Sequence, residues 1–113
     1  ENVKKVKIQI STLDKIIKEL NIKKIDFLNI DVEYRDFKAL QSINLDDVRP
    51  TLIAIEDNDA YDIADIVESN IYKHLIDKEY FLYSKTNCTN FYLDKKYKNN
   101  LNDVLNTQTK ISL

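Results

Sequence analysis

The run Ile25-Asp26-Phe27-Leu28-Asn29-Ile30-Asp31-Val32-Glu33 decides the fold class. Its apolar residues crowd together instead of alternating, so it reads as a strand from Ile25 to Val32 covered on both faces, the kind found in parallel sheets flanked by helices. Thr51-Leu52-Ile53-Ala54-Ile55 reads the same way; it follows Pro50, the only proline, and runs into Glu56-Asp57. Between them, Phe37, Leu40 and Ile43 predict a helix from Tyr34 to Ser42.

Upstream, Val6, Ile8 and Ile10 alternate with Lys7 and Gln9, the period-2 pattern of a half-buried strand. Ser11 with Asp14 forms a helix-start signal, and Leu13, Ile16, Ile17 and Leu20 fall on one helical face before Asn21 closes it. Downstream, Ala64, Val67, Ile71 and Leu75, with Tyr72 and Ile76 beside them, predict a third helix over Ala60 to Lys78. The period then returns to two. Tyr80 to Ser84 and Asn90 to Asp94, joined by Lys85-Thr86-Asn87-Cys88-Thr89, predict an antiparallel hairpin. Beyond Lys95 the chain is polar, with Leu101, Val104 and Leu105 able to form one short helix. The expectation is an α/β domain over residues 1–94, its sheet parallel in the centre with an antiparallel C-terminal hairpin, followed by a polar tail over 95–113.

Composition narrows the function. With 113 residues, 43% of them hydrophobic, the chain can bury one core. Lys+Arg 17 against Asp+Glu 19 leaves a net charge of -2, so no uniform positive field exists to hold a nucleic-acid backbone. Apolar runs such as Leu52 to Ile55 are far short of the ~20 residues that span a bilayer, and Glu1 opens a polar segment without the apolar region of a secretory signal. No membrane and no nucleic-acid partner are expected. Cys88 is the only cysteine, which fits a reducing, cytoplasmic compartment.

Glycine is absent altogether, where average usage of ~7% would supply about eight. Every motif that cradles phosphate or nucleotide on glycine-rich backbone is thereby excluded. Part of this follows from the coding bias of an AT-rich genome, since Lys, Asn, Ile and Tyr abound and arginine occurs only at Arg35 and Arg49. The remainder fits a chain that begins between elements, at Glu1 and not at Met.

In parallel sheets, ligands lie beyond the carboxyl ends of the strands. Both buried strands end in acid there, Asp31 with Glu33 and Glu56 with Asp57. Such carboxylates can take a proton from a hydroxyl, hydrogen-bond a polar substrate or bind a metal. Each alone is also an ordinary helix-start acid. Their convergence on one edge favours a site. His74 reads as a surface or interfacial helix residue and not a base, since no second His or Cys accompanies it, and no metal centre is assigned. Cys88 lies in a turn without a histidine partner, and Asn87-Cys88-Thr89 is a formal glycosylation sequon without a signal sequence. Tyr80, Tyr83, Tyr92 and Tyr97 are expected to cover sheet faces and give their hydroxyls to water, with an acceptor-pocket rim or a dimer contact as the other use.

Thr12-Leu13-Asp14, then Ile25 to Glu33, Asp36, Leu40, Arg49-Pro50 and Ile53-Ala54-Ile55-Glu56, resemble the C-terminal half of FkbM-type methyltransferases. That family carries a TLD segment, an IDFLKIDVEG strand end followed by an acid and a leucine, and an RP segment leading into a strand that ends in Glu. The motifs span roughly residues 11 to 57, and the later helix and aromatic hairpin agree with the last elements of the Rossmann-like class I methyltransferase fold. The resemblance implies S-adenosylmethionine-dependent O-methyl transfer to a hydroxyl of a sugar, glycan or similar small molecule. It also implies a role for Asp31 as acceptor-side residue or base, with Glu56 second and Glu33 a helix-start residue. Cofactor-binding residues are unassigned.

The chain departs from the family in two places. Tyr34 stands where the family has Gly after Val-Glu, losing φ freedom and filling space near the site, and Gln41-Ser42 stand where a further Gly follows the helix leucine. The glycine-rich loop and the acid that would bind the cofactor ribose are expected upstream, so the isolated chain should bind S-adenosylmethionine weakly and lack activity. With a sheet neighbour missing, the strand from Ile25 to Val32 should drive self-association. The alternative function is a non-catalytic binding or assembly module on a methyltransferase-like fold. A metal-dependent nuclease ranks last, because Glu56-Asp57-Asn58 supplies no lysine after the second acid.

Overall fold

The structure, a computed structural model, describes residues 2–100. Its sheet contains β1 (Phe27–Ile30), β2 (Leu52–Glu56), β3 (Tyr80–Thr86) and β4 (Thr89–Asp94) in the order β1-β2-β4-β3. β1 and β2 run parallel, with Phe27 opposite Leu52 and Ile30 opposite Ile55. β4 lies antiparallel to both β2 and β3. The expected parallel pair and antiparallel hairpin are therefore present, and the hairpin joins the sheet through its second strand.

β2 is enclosed as its apolar run predicts: Ile53, Ala54 and Ile55 are all buried. β1 is not. It spans four residues at the sheet edge, and Asn29 is exposed, so the two-sided cover predicted for Ile25 to Val32 is limited to Ile30. The core gathers Ile53, Ile55 and Tyr92 from the sheet with Leu40, Ile71 and Leu75 from helices.

Helix α1 (Leu13–Glu19) begins one residue later than the start signal suggests, because Thr12 and not Ser11 is the cap: its Oγ1 accepts from the Lys15 amide at 3.2 Å. Of its apolar face only Ile17 is buried, and Leu20 stays exposed. Its first amides dock on Ser42, Leu13 N donating to Ser42 Oγ at 3.1 Å and Asp14 N to the Ser42 carbonyl at 2.9 Å. Ser42 thus anchors α1. Helix α2 (Asp36–Gln41) is shorter than predicted, and α3 (Leu45–Val48), capped by Asn44, is too short to announce itself by periodicity.

The single helix predicted over Ala60 to Lys78 is two, α4 (Ile63–Glu68) and α5 (Asn70–Asp77). Ser69 breaks it with extended backbone (φ -69°, ψ 148°) and caps α5, its Oγ accepting from Tyr72 N at 3.0 Å. Asp62 and Asp65 form a capping box that starts α4. The break shifts the helical phase, so Ile66 occupies the core in place of the predicted Ala64 and Val67, which are exposed.

The hairpin strands run longer than predicted and meet at Asn87-Cys88, with Asn87 left-handed at φ 49° as a two-residue turn needs. A register shift between Leu82 and Ser84 leaves Tyr83 half-exposed. The predicted strand at Val6 to Ile10 does not form. That segment has no regular structure, all three apolar side chains are exposed, and no described strand lies beside it to receive its hydrogen bonds. A short 3₁₀ turn (Lys95–Tyr97) follows β4, and the helix predicted around Leu101 lies outside the described residues. Among those residues no helix is long and apolar enough to cross a membrane.

Candidate functional site

Because Ile30 and Ile55 face each other across the parallel ladder, the residues that follow them, Asp31 and Glu56, emerge side by side. The chain after β1 then turns sharply: Glu33 (φ 46°) and Tyr34 (φ 63°) are consecutive left-handed residues, neither a glycine. Such backbone costs about 1–2 kcal/mol per residue and is retained only where its surroundings hold it. Part of that hold is Asp36, buried in the first turn of α2, whose Oδ1 accepts from the Val32 amide at 3.0 Å. The turn returns Glu33 to the strand ends. One carboxylate oxygen from each of Asp31, Glu33 and Glu56 lies within 4.8 Å of the others.

Crowding changes the chemistry. Burial first, then the Asp31 carboxylate beside it, push the Glu56 carboxyl above its ordinary range. Glu56 Oε2 is itself buried without a hydrogen-bond partner. Three hard oxygen donors in this arrangement can accept a hydroxyl proton or meet a hard cation.

Beside them opens a cleft of about 320 Å³, with Tyr34 and Phe37 on one side, Glu56 and Asp57 at the strand end, and Ser69 and Asn70 opposite. Tyr34 is exposed here; the conformation that a glycine would adopt freely is kept, with a phenol ring added at the rim. Sequence reasoning placed Asp31, Glu33, Tyr34 and Glu56 at one edge, and they are together there. It missed Ser69 and Asn70, although a Ser-Asn pair inside a helical pattern is a legible cap signal.

His74, Cys88, Tyr80 and Tyr92 lie outside the lining of this cleft. His74 packs edge-on against Phe37 (centroids 5.9 Å apart), and burial lowers its basicity. Cys88 sits at the hairpin tip, where its carbonyl accepts from Asp57 N at 2.8 Å. Tyr80 and Tyr92 do not give their hydroxyls to water: Tyr80 donates to the Pro50 carbonyl at 2.6 Å, and the Tyr92 hydroxyl is buried without a partner. Burial pushes both phenols well above the ordinary tyrosine range.

A family model, that of the methyltransferase FkbM domain, matches residues 1–100. The chain belongs to the FkbM methyltransferase family. No curated protein and no solved structure matches it. The family match spans every element described above, so the acids beyond β1 and β2 belong to an FkbM domain with a mixed α/β, methyltransferase-like architecture.

Proposed function

We propose that this FkbM domain serves S-adenosylmethionine-dependent methyl transfer to a hydroxyl oxygen of a sugar, glycan or similar small molecule. The observation that carries the reading is the meeting of Asp31 and Glu56 beyond two adjacent parallel strands, one carboxylate oxygen of each within 4.8 Å of the other. The parallel β1-β2 pair, extended by a hairpin, supports placing it as the closing part of a Rossmann-like class I sheet over residues 1–94, with 95–113 as a tail. The single Cys88 supports a reducing, cytoplasmic setting.

S-adenosylmethionine supplies an activated methyl group when bound. These 113 residues contain no glycine, and therefore no glycine-rich loop to cradle it, so the chain's own contribution is on the acceptor side. Asp31 receives a hydrogen bond from the acceptor hydroxyl and takes its proton as the oxygen loses it. Glu56, its carboxyl raised above the ordinary range by burial and by Asp31, eases the repulsion between the two acids when it takes up a proton. Glu33 closes the turn that presents Asp31, and Tyr34 walls the acceptor cleft.

The test is methyl transfer by the full-length protein, with methyl-labelled cofactor and hydroxylated acceptors. Asp31→Asn keeps the shape and removes the charge, so the protein should stay folded and turnover should fall about 10²-fold or more. Equal turnover would return Asp31 to a helix-start role. The second reading, a non-catalytic module, draws on Tyr34 in place of glycine; absence of transfer by the intact protein with a broad acceptor set would favour it.

A further inference from the structure

Asp57 is fixed at both ends of its backbone. Its amide donates to the Cys88 carbonyl at 2.8 Å, and its own carbonyl accepts from Ala60 N at 3.2 Å. The residue is only 8% exposed, lines the cleft, and has an Oδ2 atom buried with no hydrogen-bond partner. A carboxylate oxygen taken out of water without a donor is unfavourable and is normally met by a cation or hydrogen-bond donor. No described Lys, Arg or His stands within ion-pair distance of Glu56, Asp57 or Asp59, although all three line the cleft; Glu68, also in the lining, is already met by Lys73 at 3.1 Å.

The lining contains no basic residue. The N-terminus of α5 contributes about half a positive charge, and Ser69 already caps it, so it cannot balance the unpaired carboxylates of Asp57 and Asp59. An acceptor bearing phosphate or carboxylate would be repelled. Around Asp57 the cleft offers the amides of Asn58 and Asn70 for hydroxyls and the rings of Tyr34 and Phe37 for an apolar sugar face or an ammonium group.

We infer that the cleft selects an ammonium-bearing, polyhydroxylated small molecule of the amino-sugar type, with Asp57 pairing to the ammonium as the specificity-determining residue. Its use as a methyl acceptor rests on the proposed function; its binding does not.

The experiment titrates the full chain with glucosamine, glucose and glucuronate at low salt, at a pH where the amine is protonated, following backbone amides by NMR. Glucosamine should bind at least tenfold more tightly than glucose, with shifts centred on Asp57, Asn58 and Asn70, and the margin should shrink as salt rises. Asp57→Asn should abolish the margin, while Asp57→Glu retains part of it. Equal affinity for glucose, preference for glucuronate, no saturable binding, or an undiminished margin in folded Asp57→Asn would each overturn the inference. Ammonium preference without methyl transfer by the full-length protein would sink only the proposed function, and transfer without that preference would sink only the inference.

Discussion

Arg49 grips Asp94 with two parallel hydrogen bonds, Nε to Oδ2 at 2.8 Å and Nη2 to Oδ1 at 3.1 Å. The same guanidinium donates to the carbonyls of Lys78 and Glu79 and lies 4.7 Å over the Tyr80 ring. The approach to β2, the end of α5 and the end of β4 are thereby joined at one cation. In the sequence, Arg49-Pro50 is simply a motif that precedes a strand; in the fold it is a clamp on the hairpin.

Lysine cannot reproduce that fork. Arg49→Lys should destabilise the domain by about 2–4 kcal/mol, since Asp94 is almost fully buried while Arg49 keeps partial contact with solvent. Urea unfolding measures this. A midpoint equal to that of the wild type would mean that the clamp adds nothing.

Tyr34→Gly places a residue without a Cβ where φ is 63°. Relief of the left-handed strain outweighs the extra freedom of glycine in the unfolded chain, so stability should rise by about 0.5–1.5 kcal/mol. Thermal unfolding checks it. A loss of stability would show that the Tyr34 ring contributes more by packing than its backbone costs.

Glu56 ties stability to pH. Its folded carboxyl lies above the ordinary range, so the folded state binds its proton more tightly than the unfolded chain does. That contribution is present in full below the ordinary glutamate pKa near 4.5 and is lost as pH rises through the elevated folded value. Glu56→Gln should therefore raise the melting temperature at pH 7.5 and flatten its decline above pH about 4.5. Parallel melting curves for the two proteins would place Glu56 in ordinary solvent.

The outer edge of β1 has no strand beside it among the described residues. Unpaired amides on such an edge recruit another chain, so the 113-residue protein should dimerise with rising concentration. Sedimentation velocity that shows a monomer throughout would mean that the edge is blocked by Lys23, Lys24 and the exposed Asn29.

What could be read in advance was whatever depends on local pattern. β2 announces itself by a proline and four apolar residues, and Asp31 and Glu56 follow because acids after buried strands must share an edge. Val6, Ile8 and Ile10 misled because alternation reports a face, not a partner. Ser69 was overlooked because Ile71 and Leu75 continue a plausible helical face across it. The left-handed pair Glu33-Tyr34 was beyond reach, since only the tertiary hold of residues such as Asp36 makes it tolerable. Asp57 was legible as a strand-end acid, but its unmatched oxygen was not.

The placement of β4 between β2 and β3 has a consequence for biogenesis. During synthesis β2 must wait for its inner neighbour until almost the whole described chain has been made, because Leu52 pairs with Leu93. Asp94 arrives with that strand, so the counter-charge for Arg49 and the filling of the sheet interior come in one step. A nascent or truncated product that stops before Thr89 keeps an open sheet and an unmatched guanidinium, and such species should be the ones that chaperones hold and proteases remove.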